Sequence, residues 1–358
     1  MTDRKRGLPS RHVGVALCTL AICAAAQAAA AASNIPNYTL VGSFDAPQGV
    51  FDVLPDGRLI SLGGANSDTL FVQDAVNASS YSPIGTFTTE LPISTFGASF
   101  LTAAPDGQTV AIGDGNFTPD ASVYTVALAD LGAAPAPTAR TISPNFAASF
   151  AADGSLYITG ADPVTFASGV YRAAPGDGAS TRVIGGSGGA SAGIAIDNGV
   201  LYTGNGFDFA PGGSVTGEVR AVSLSQLDAL APGATVDFEN DMTPVAQALS
   251  ASPIAFDPFG NMLLGGGDNA TGDLGYAGVI DAARIAAALT GSGFTPGADL
   301  ELSPDQASAA LYSVRFNTAT NELLVFANGT AYRYAVPTPG AAGLFALAGL
   351  ATRRRRRA

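Results

Sequence analysis

FDVLPDGRLISLG, residues 51–63, is an apolar run, an Asp-Gly turn and a second apolar run that ends in glycine. The same pattern returns as FLTAAPDGQTVAIG at 100–113 and as SFAADGSLYITG at 149–160. Three further copies follow at 193–204, at 254–265 and, with a longer turn, at 312–326. An Asx-Gly pair between two β-rich runs favours a hairpin, because glycine accepts the positive φ that such turns need. The sequence therefore predicts six β-hairpins.

The spacing of these hairpins indicates how they assemble. Their turns lie roughly 45 to 60 residues apart, which is the length of a four-stranded propeller blade. Most hairpins are followed by a further apolar run that fits a third strand, at 123–126, 169–171, 217–222 and 277–280. Three of these runs lead into short helical patterns at 127–131, 224–230 and 282–289. The prediction is an all-β fold, a six-bladed β-propeller with short helical insertions between blades.

The first β-rich run, 38–44, has no hairpin partner of its own. We expect it to complete the blade begun by 312–326 and 332–334, which closes the ring and removes an open sheet edge. A seven-bladed ring is the main alternative, because the intervals 198–260 and 260–319 are wide enough to hold a degenerate copy.

The N-terminus has the order of a secretory signal peptide. Four basic residues precede the apolar stretch 13–26, and the small residues Ala26-Gln27-Ala28 follow. This is a basic region, an apolar region and an A-x-A cleavage site. We assign residues 1–32 to a signal peptide with an apolar helix, and expect the protein to be exported.

The C-terminus carries a second topogenic pattern. A short motif, an uncharged apolar run at 341–351 and a basic cluster follow one another; the motif is Val336, Pro337, Thr338, Pro339 and Gly340, and the cluster is Arg353, Arg354, Arg355, Arg356 and Arg357. Residues 336–352 are at the lower limit of the roughly 17–25 residues that span a bilayer as a helix. The arginines form a positive-inside stop. The sequence predicts a hydrophobic C-terminal helix that meets the membrane.

This tail resembles the PEP-CTERM sorting tails of Gram-negative bacterial envelope proteins. It departs from the family at Thr338, which stands where the usual motif has Glu. The resemblance covers residues 336–358 only. It implies recognition and processing by an exosortase, a membrane protease-transpeptidase, and a link to exopolysaccharide or biofilm matrix. It also implies a place in the cell envelope, on the outer surface or in the extracellular matrix.

The domain between the two ends, 33–335, has a composition that excludes several chemistries. It contains no His, Cys, Lys or Trp. Nucleophile systems that need His or Cys, Schiff-base lysines, and thiolate or imidazole metal sites are therefore excluded. The domain has eight arginines against 28 carboxylates, a net charge of about −20. Nucleic acid is a poor partner for such a surface, and cations are better ones.

Polar, glycine-rich loops follow the second strand of the hairpins. Loops in equivalent positions of a propeller project from the same face, and carboxylate and amide oxygens are ligands that suit Ca²⁺. Asp, Asn and Gly also form ordinary turns, which is the competing interpretation. The candidate ligands for Ca²⁺, the one cofactor that the sequence suggests, are Asp114, Asn116, Asp120, Asp208, Asp268 and Asp273.

These observations predict an exported, surface-sorted, non-catalytic propeller that binds a polysaccharide or another surface protein. The alternative is a carbohydrate-active hydrolase or lyase that uses Asp and Glu, with or without Ca²⁺, since paired carboxylates need neither His nor Cys. An enzyme requires two or three carboxylates that converge in a pocket. A binding module requires exposed aromatic side chains, for which the candidates are Tyr81, Phe117, Phe207, Phe209 and Tyr276.

Overall fold

The fold is a closed ring of six β-sheets around a central channel, and successive strands of each blade pair antiparallel. The computed structural model describes residues 35, 37–47, 49–63, 69–86, 93, 97–116, 120–130, 138–161, 168–187, 193–204, 216–249, 253–268, 274–291, 313–327 and 329–336. Both chain ends, with the predicted signal helix and the predicted hydrophobic tail helix, lie outside these residues.

Twenty-four strands, two α-helices and one 3-10 helix make up the described part of the chain. The strands of the first half are β1 (Thr39–Asp45), β2 (Val50–Val53), β3 (Leu59–Gly63), β4 (Thr69–Gln73), β5 (Tyr81–Thr86), β6 (Ala98–Ala103), β7 (Thr109–Asp114), β8 (Ser122–Ala127), β9 (Thr138–Thr141), β10 (Asn145–Phe150), β11 (Leu156–Ala161), β12 (Ser168–Ala173) and β13 (Thr181–Ser187). Those of the second half are β14 (Ile194–Asp197), β15 (Val200–Gly204), β16 (Thr216–Ser223), β17 (Val236–Asp237), β18 (Thr243–Leu249), β19 (Ile254–Phe256), β20 (Met262–Asp268), β21 (Leu274–Ile280), β22 (Ser313–Asn317), β23 (Glu322–Ala327) and β24 (Thr330–Ala335). The helices are α1 (Leu224–Asp228), α2 (Ala282–Leu289) and the 3-10 helix Leu128–Asp130.

The strands form blades in chain order. Blade 1 is β2-β3-β4-β5, blade 2 is β6-β7-β8-β9, and blade 3 is β10-β11-β12-β13. Blade 4 is β14-β15-β16-β18, and blade 5 has β19-β20-β21 among the described residues. Blade 6 is β22-β23-β24-β1. Each predicted hairpin is the first strand pair of a blade, so the prediction of an all-β, six-bladed propeller is confirmed.

The hairpin turns have the backbone geometry that their sequence demands. In the first copy Val53 pairs with Leu59, and Gly57 between them has φ +87°. In the fourth copy Asn198 and Gly199 have φ +47° and +76°, as a two-residue type I′ turn requires. A side chain at Gly57 or Gly199 would be strained at these φ values.

The first strand closes the ring as predicted. Strand β1 pairs antiparallel with β24, from Thr39 opposite Ala335 to Asp45 opposite Thr330. The inner strands β2, β6, β10, β14, β19 and β22 contact one another in sequence, and β22 contacts β2. Because six blades complete this circle, the seven-bladed alternative is wrong.

The wide intervals that suggested a seventh blade contain insertions. Between β16 and β18 the chain forms α1 and then β17, which pairs in parallel with β13 of blade 3. Phe238 and Met242, just after β17, pack into the core shared by blades 3 and 4. Helix α2 follows β21 and contacts β18 of blade 4. These inserted segments therefore connect neighbouring blades.

The apolar core lies between adjacent blades. Ile60 and Leu62 of blade 1 pack with Leu101 and Ile112 of blade 2, and all four are almost completely buried. Analogous clusters join the other neighbouring blades. At about 1.5–3 kcal/mol for each fully buried large aliphatic side chain, this burial stabilises a ring that has no disulfide in 33–335.

Candidate functional site

The central channel encloses a cavity of about 620 Å³. All six inner strands contribute to its wall, because the edge of each faces the ring axis. The wall includes three acidic residues, Asp52, Asp197 and Asp257, and one base, Arg315. A concave cavity of this size with a few polar groups is the usual form of a small-molecule site.

Asp52 joins three blades at one side of the channel. Its Oδ1 accepts a hydrogen bond from Arg315 Nε of blade 6 at 3.0 Å. Its Oδ2 accepts from the blade 2 residues Ala103, through the backbone N–H at 2.8 Å, and Thr102, through Oγ1 at 3.1 Å. Arg315 also donates to the carbonyl of Val314. Both oxygens of the Asp52 carboxylate therefore accept hydrogen bonds from the protein itself.

These residues occupy equivalent positions in the repeat. Four hairpins share one backbone hydrogen bond across the turn, at the start of the second strand. The donors are the N–H groups of Leu54, Ala104, Ala151 and Asp257, and the acceptors are the carbonyls of Arg58, Thr109, Ser155 and Asn261 in the same order. In blade 6, Asn317 pairs with Glu322 in the same way. Two residues before these turn positions stand Asp52, Thr102, Ser149, Ala255 and Arg315. The channel wall is thus polar at this level in blades 6, 1, 2 and 3, and apolar in blade 5.

Asp257 is a second acid that the chain itself satisfies. It is 3% exposed, and its Oδ1 accepts from the backbone N–H of Phe259 and of Asn261. Its Oδ2 accepts from Asn261 Nδ2 and from the hydroxyl of Tyr38, both at 2.7 Å. Burial, and then the hydrogen bond to Asp257, raise the pKa of Tyr38. Tyr38, which precedes β1, therefore links the ring closure to blade 5.

Asp197 differs from the other two acids. It ends β14, and its Oδ2 accepts from Asn198 Nδ2 at 2.9 Å. Among the described residues no cationic side chain pairs with it. Burial is the main cause that raises the pKa of Asp197, and repulsion from Asp257 adds to it. The ionised carboxylate is thus poorly compensated within the described part of the chain.

Aromatic side chains line the same cavity. Phe150, Phe256 and Phe316 are each the residue before a hairpin turn position, in blades 3, 5 and 6, and each is partly buried. The ring of Phe256 also contacts that of Tyr202, with centroids 4.7 Å apart. These residues and the channel acids are not among the predicted site residues, although their constant distance from the turn is visible in the repeat.

Of the six predicted Ca²⁺ ligands, three are described with their side chains, one is described by its strand alone, and two lie outside the described residues. Asp114 ends β7, is 4% exposed, and accepts at Oδ1 from the backbone N–H of Asn116 at 3.1 Å. Its carbonyl accepts from Asn145 Nδ2. Asp120 is exposed. Asp208 and Asp273 lie outside the described residues, and of Asp268 only its place in β20 is described.

No group of three or more potential ligands able to hold a metal occurs in the described part of the chain. The calcium hypothesis therefore stays a prediction. Thermal unfolding in EDTA and then in Ca²⁺ tests it, because a ligand of the folded state raises Tm.

Of the predicted exposed aromatics, Tyr81 is described. It lies on β5, is partly buried, and donates from its hydroxyl to the carbonyl of Asp45 at 3.2 Å. Burial raises its pKa to about 12. Tyr81 thus links blade 1 to the closing strand. Phe117, Phe207 and Phe209 lie outside the described residues, and Tyr276 is described only as part of β21.

The tail motif begins at the end of the propeller. Val336, 5% exposed, directly follows β24, and Pro337, Thr338, Pro339, Gly340 and the five arginines lie outside the described residues. Within the described residues no helix is long and apolar enough to cross a membrane.

No family model and no curated protein matches the chain. Its fold is similar to that of a gluconolactonase from Xanthomonas campestris (14% identity over 86% of this chain and 93% of that one, TM-score 0.49). It is also similar to an oligogalacturonate lyase in complex with manganese (11%, 83% and 78%, 0.47). A third similar structure is TolB from Acinetobacter baumannii (14%, 67% and 53%, 0.43). At these identities the likeness concerns the fold alone.

Proposed function

We propose that this protein is an exported, surface-sorted β-propeller that serves as a non-catalytic binding or structural component of the cell envelope or extracellular matrix. The observation that carries the proposal is the state of the channel acids. Asp52 and Asp257 are held by donors from their own chain, so they shape the cavity and are not free for proton transfer. A rigid cavity of this kind suits recognition.

The absence of common catalytic side chains from the sequence supports the same view. Residues 33–335 contain no His, Cys or Lys. Hydrolysis of a polysaccharide would need two carboxyl groups that exchange protons with the substrate, and elimination would need a base beside it. Among the channel acids of the described part of the chain, Asp197 alone has a carboxylate oxygen that accepts no hydrogen bond from a described residue. The alternative of a carbohydrate-active hydrolase would have to take its second carboxylate from elsewhere, and a lyase would have to use Asp197 or a base from elsewhere.

The position of the chain ends supports sorting by the tail. Thr39 and Ala335 are paired neighbours, so the polypeptide enters and leaves the ring at the same edge. The tail therefore begins at Val336, directly after β24 and beside the closing strand β1. A membrane helix and an exosortase-type enzyme would engage it there, while both faces of the ring stay accessible to exopolysaccharide or another surface protein.

The proposal is tested in a bacterium that carries an exosortase. We expect the full chain to lose its N-terminal and C-terminal segments and to fractionate with the envelope or matrix. Changing Pro337 and Pro339 to alanine should leave an unprocessed product in the membrane fraction, because the motif is altered while the apolar run remains. The proposal would be overturned if the variant and the unaltered protein were processed equally and found in the same fraction. Shortening of the host exopolysaccharide by the purified protein would favour the enzyme.

A further inference from the structure

Most of the aspartates at the hairpin turns stabilise their turn by accepting a backbone hydrogen bond, and Asp197 does not. Asp56, Asp106, Asp153 and Asp257 each accept at Oδ1 from the backbone N–H two residues further on. Such a bond stabilises the turn. Among the described residues, Asp197 accepts a hydrogen bond from the side chain of Asn198 alone, and its hairpin is made by the positive φ of Asn198 and Gly199. Turn formation therefore does not explain why a carboxylate stands at this place.

The surroundings of Asp197 are unusual for an acid. It lies on the wall of the 620 Å³ cavity, at the end of the inner strand of blade 4. Phe256 of blade 5 lines the same cavity, and its ring packs against Tyr202 in the apolar cluster between blades 4 and 5. Phe256 pairs with Met262 and Ile196 with Leu201, so Phe256 stands at the level of the residue just before Asp197. Phe150 packs instead into the cluster between blades 2 and 3. The carboxylate therefore has one partly buried aromatic residue on the neighbouring strand of the channel wall.

The same arc of the wall offers few hydrogen-bond donors. Two residues before the turn positions, blades 4 and 5 have Ala195 and Ala255, where blades 1 to 3 have Asp52, Thr102 and Ser149. A neutral sugar needs side-chain donors as well as an aromatic surface. An organic cation needs a negative charge and aromatic faces, which attract it through their quadrupole. Three acids against one arginine also leave the cavity wall negative.

We propose that the blade 4 to blade 5 side of the channel binds a small organic cation, whose ammonium group contacts the Asp197 carboxylate and whose alkyl part packs against Phe256. This inference deepens the proposed function, since it names a ligand class for the binding cavity. The raised pKa of Asp197, caused first by burial, agrees with it, because a bound cation would compensate the buried charge.

The test uses the purified full-length protein and two probes of the same size, n-butylammonium and 1-butanol, with binding measured by calorimetry. We expect n-butylammonium to bind and 1-butanol to bind at least tenfold more weakly. Asp197→Asn should weaken n-butylammonium binding about tenfold, which corresponds to ~1.4 kcal/mol. Phe256→Leu, which keeps a large apolar side chain, should weaken it severalfold. Asp56→Asn changes a turn acid outside the channel wall and serves as the matched control with unchanged affinity.

Three outcomes would overturn the inference. They are equal binding of the two probes, unchanged affinity in Asp197→Asn, and no binding of n-butylammonium by a protein that melts cooperatively. None of them touches the proposed function, which is decided by processing and location. A protein that is sorted correctly but ignores the cation would lose only the ligand class. A protein that binds the cation but is not sorted would lose only the surface role.

Discussion

Arg315 Nε lies 3.0 Å from Asp52 Oδ1, and this ion pair joins residues 263 positions apart in the chain. Arg315 is on the innermost strand of the last blade, and Asp52 is on that of the first. The same guanidinium stands 5.7 Å from the centre of the Phe51 ring. The seam where the ring closes is therefore held on the inside by a charged contact and on the outside by the pairing of β1 with β24.

Loss of the inner contact should destabilise the ring. Arg315→Met removes the charge and leaves Asp52 with only its bonds to Thr102 and Ala103. Because the pair is largely shielded, with side chains 24% and 17% exposed, we expect a loss of about 1–3 kcal/mol in the free energy of unfolding. Urea denaturation measures it. The matched control is Arg58→Met, whose ion pair with Asp56 is 40% and 50% exposed and should cost less than about 1 kcal/mol. Equal effects would contradict this account.

The outer contact depends on one aromatic residue of β1. Phe44 is 6% exposed and packs with Leu59 of blade 1 and Leu324 of blade 6. Phe44→Ala should lower the free energy of unfolding by about 3–5 kcal/mol, because it leaves a cavity at the seam. Val41→Ala, on the same strand but 48% exposed, should change it by about 0.5 kcal/mol at most. A cost for Phe44→Ala no larger than that of Val41→Ala would show that β1 does not close the ring.

A glycine between blades 2 and 3 leaves no room for a side chain. A Cβ at Gly113 would overlap Asn145 Oδ1, Ser99 Oγ and the ring of Phe100. Asn145, 2% exposed, donates to the carbonyls of Ile142 and Asp114, so it has little freedom to move aside. Gly113→Ala should therefore destabilise the protein by about 1–3 kcal/mol through overpacking.

The control for this substitution is Gly42→Ala, where the nearest described atom to the added Cβ would be in Arg333, at an ordinary 3.6 Å. Thermal melts of the two variants side by side should show a clear fall in Tm for Gly113→Ala alone. A normal Tm for that variant would mean that the seam between blades 2 and 3 is looser than described.

The stability of the protein should depend on the charge of Asp197. Its pKa in the folded state is raised, so the folded protein holds this proton more tightly than the unfolded chain. The stability from this group is present below the ordinary Asp pKa and is lost as the pH rises through the folded pKa. Asp197→Asn should therefore match the wild-type Tm near pH ~3 and exceed it at pH ~7.

Asp153 provides the opposite case. The backbone N–H of Ser155 is the main cause that lowers the pKa of Asp153, and its other bonds with Ser155 and the nearby Arg172 add to this. Its stabilising effect is present above the ordinary Asp pKa and is lost as the pH falls through the folded value. Asp153→Asn should lose Tm at neutral pH and approach the wild type in acid. The same sign for both variants would refute the assignment of their environments.

The fold could be predicted from the repeat because each hairpin contains the residues that form its own turn. The pair Asp56-Gly57 favours a turn through its local backbone geometry, and the Asp-Gly pairs in the copies at 100–113 and 149–160 favour one as well. The closure by β1 could also be predicted, since an unpaired strand at one end needs a partner at the other. Helices at 224–230 and 282–289 were visible from their pattern, and α1 and α2 confirm them.

The candidate site was less accessible to sequence reasoning. No local pattern relates Asp52 to Arg315, because their contact exists only once six blades have formed a circle. Asp197 looked like one more turn acid, and only the missing backbone bond sets it apart. Strand β17 was equally hidden, since two residues that pair in parallel with another blade leave no periodicity. The sequence predicted a site in the polar loops on one face of the ring, whereas the candidate site in the structure lines the central channel.

Because Thr39 and Ala335 are paired neighbours, strand pairing closes the propeller into a circle although the polypeptide chain itself is open. Antiparallel neighbours of this kind are joined elsewhere in proteins by turns of two to five residues. A short linker could therefore fuse the two ends, and the chain could be opened instead at the Asn198-Gly199 turn. Such a permuted protein would keep every strand pair of the ring. The position at which the chain enters and leaves the ring would then be separable from the strand pairing that forms it.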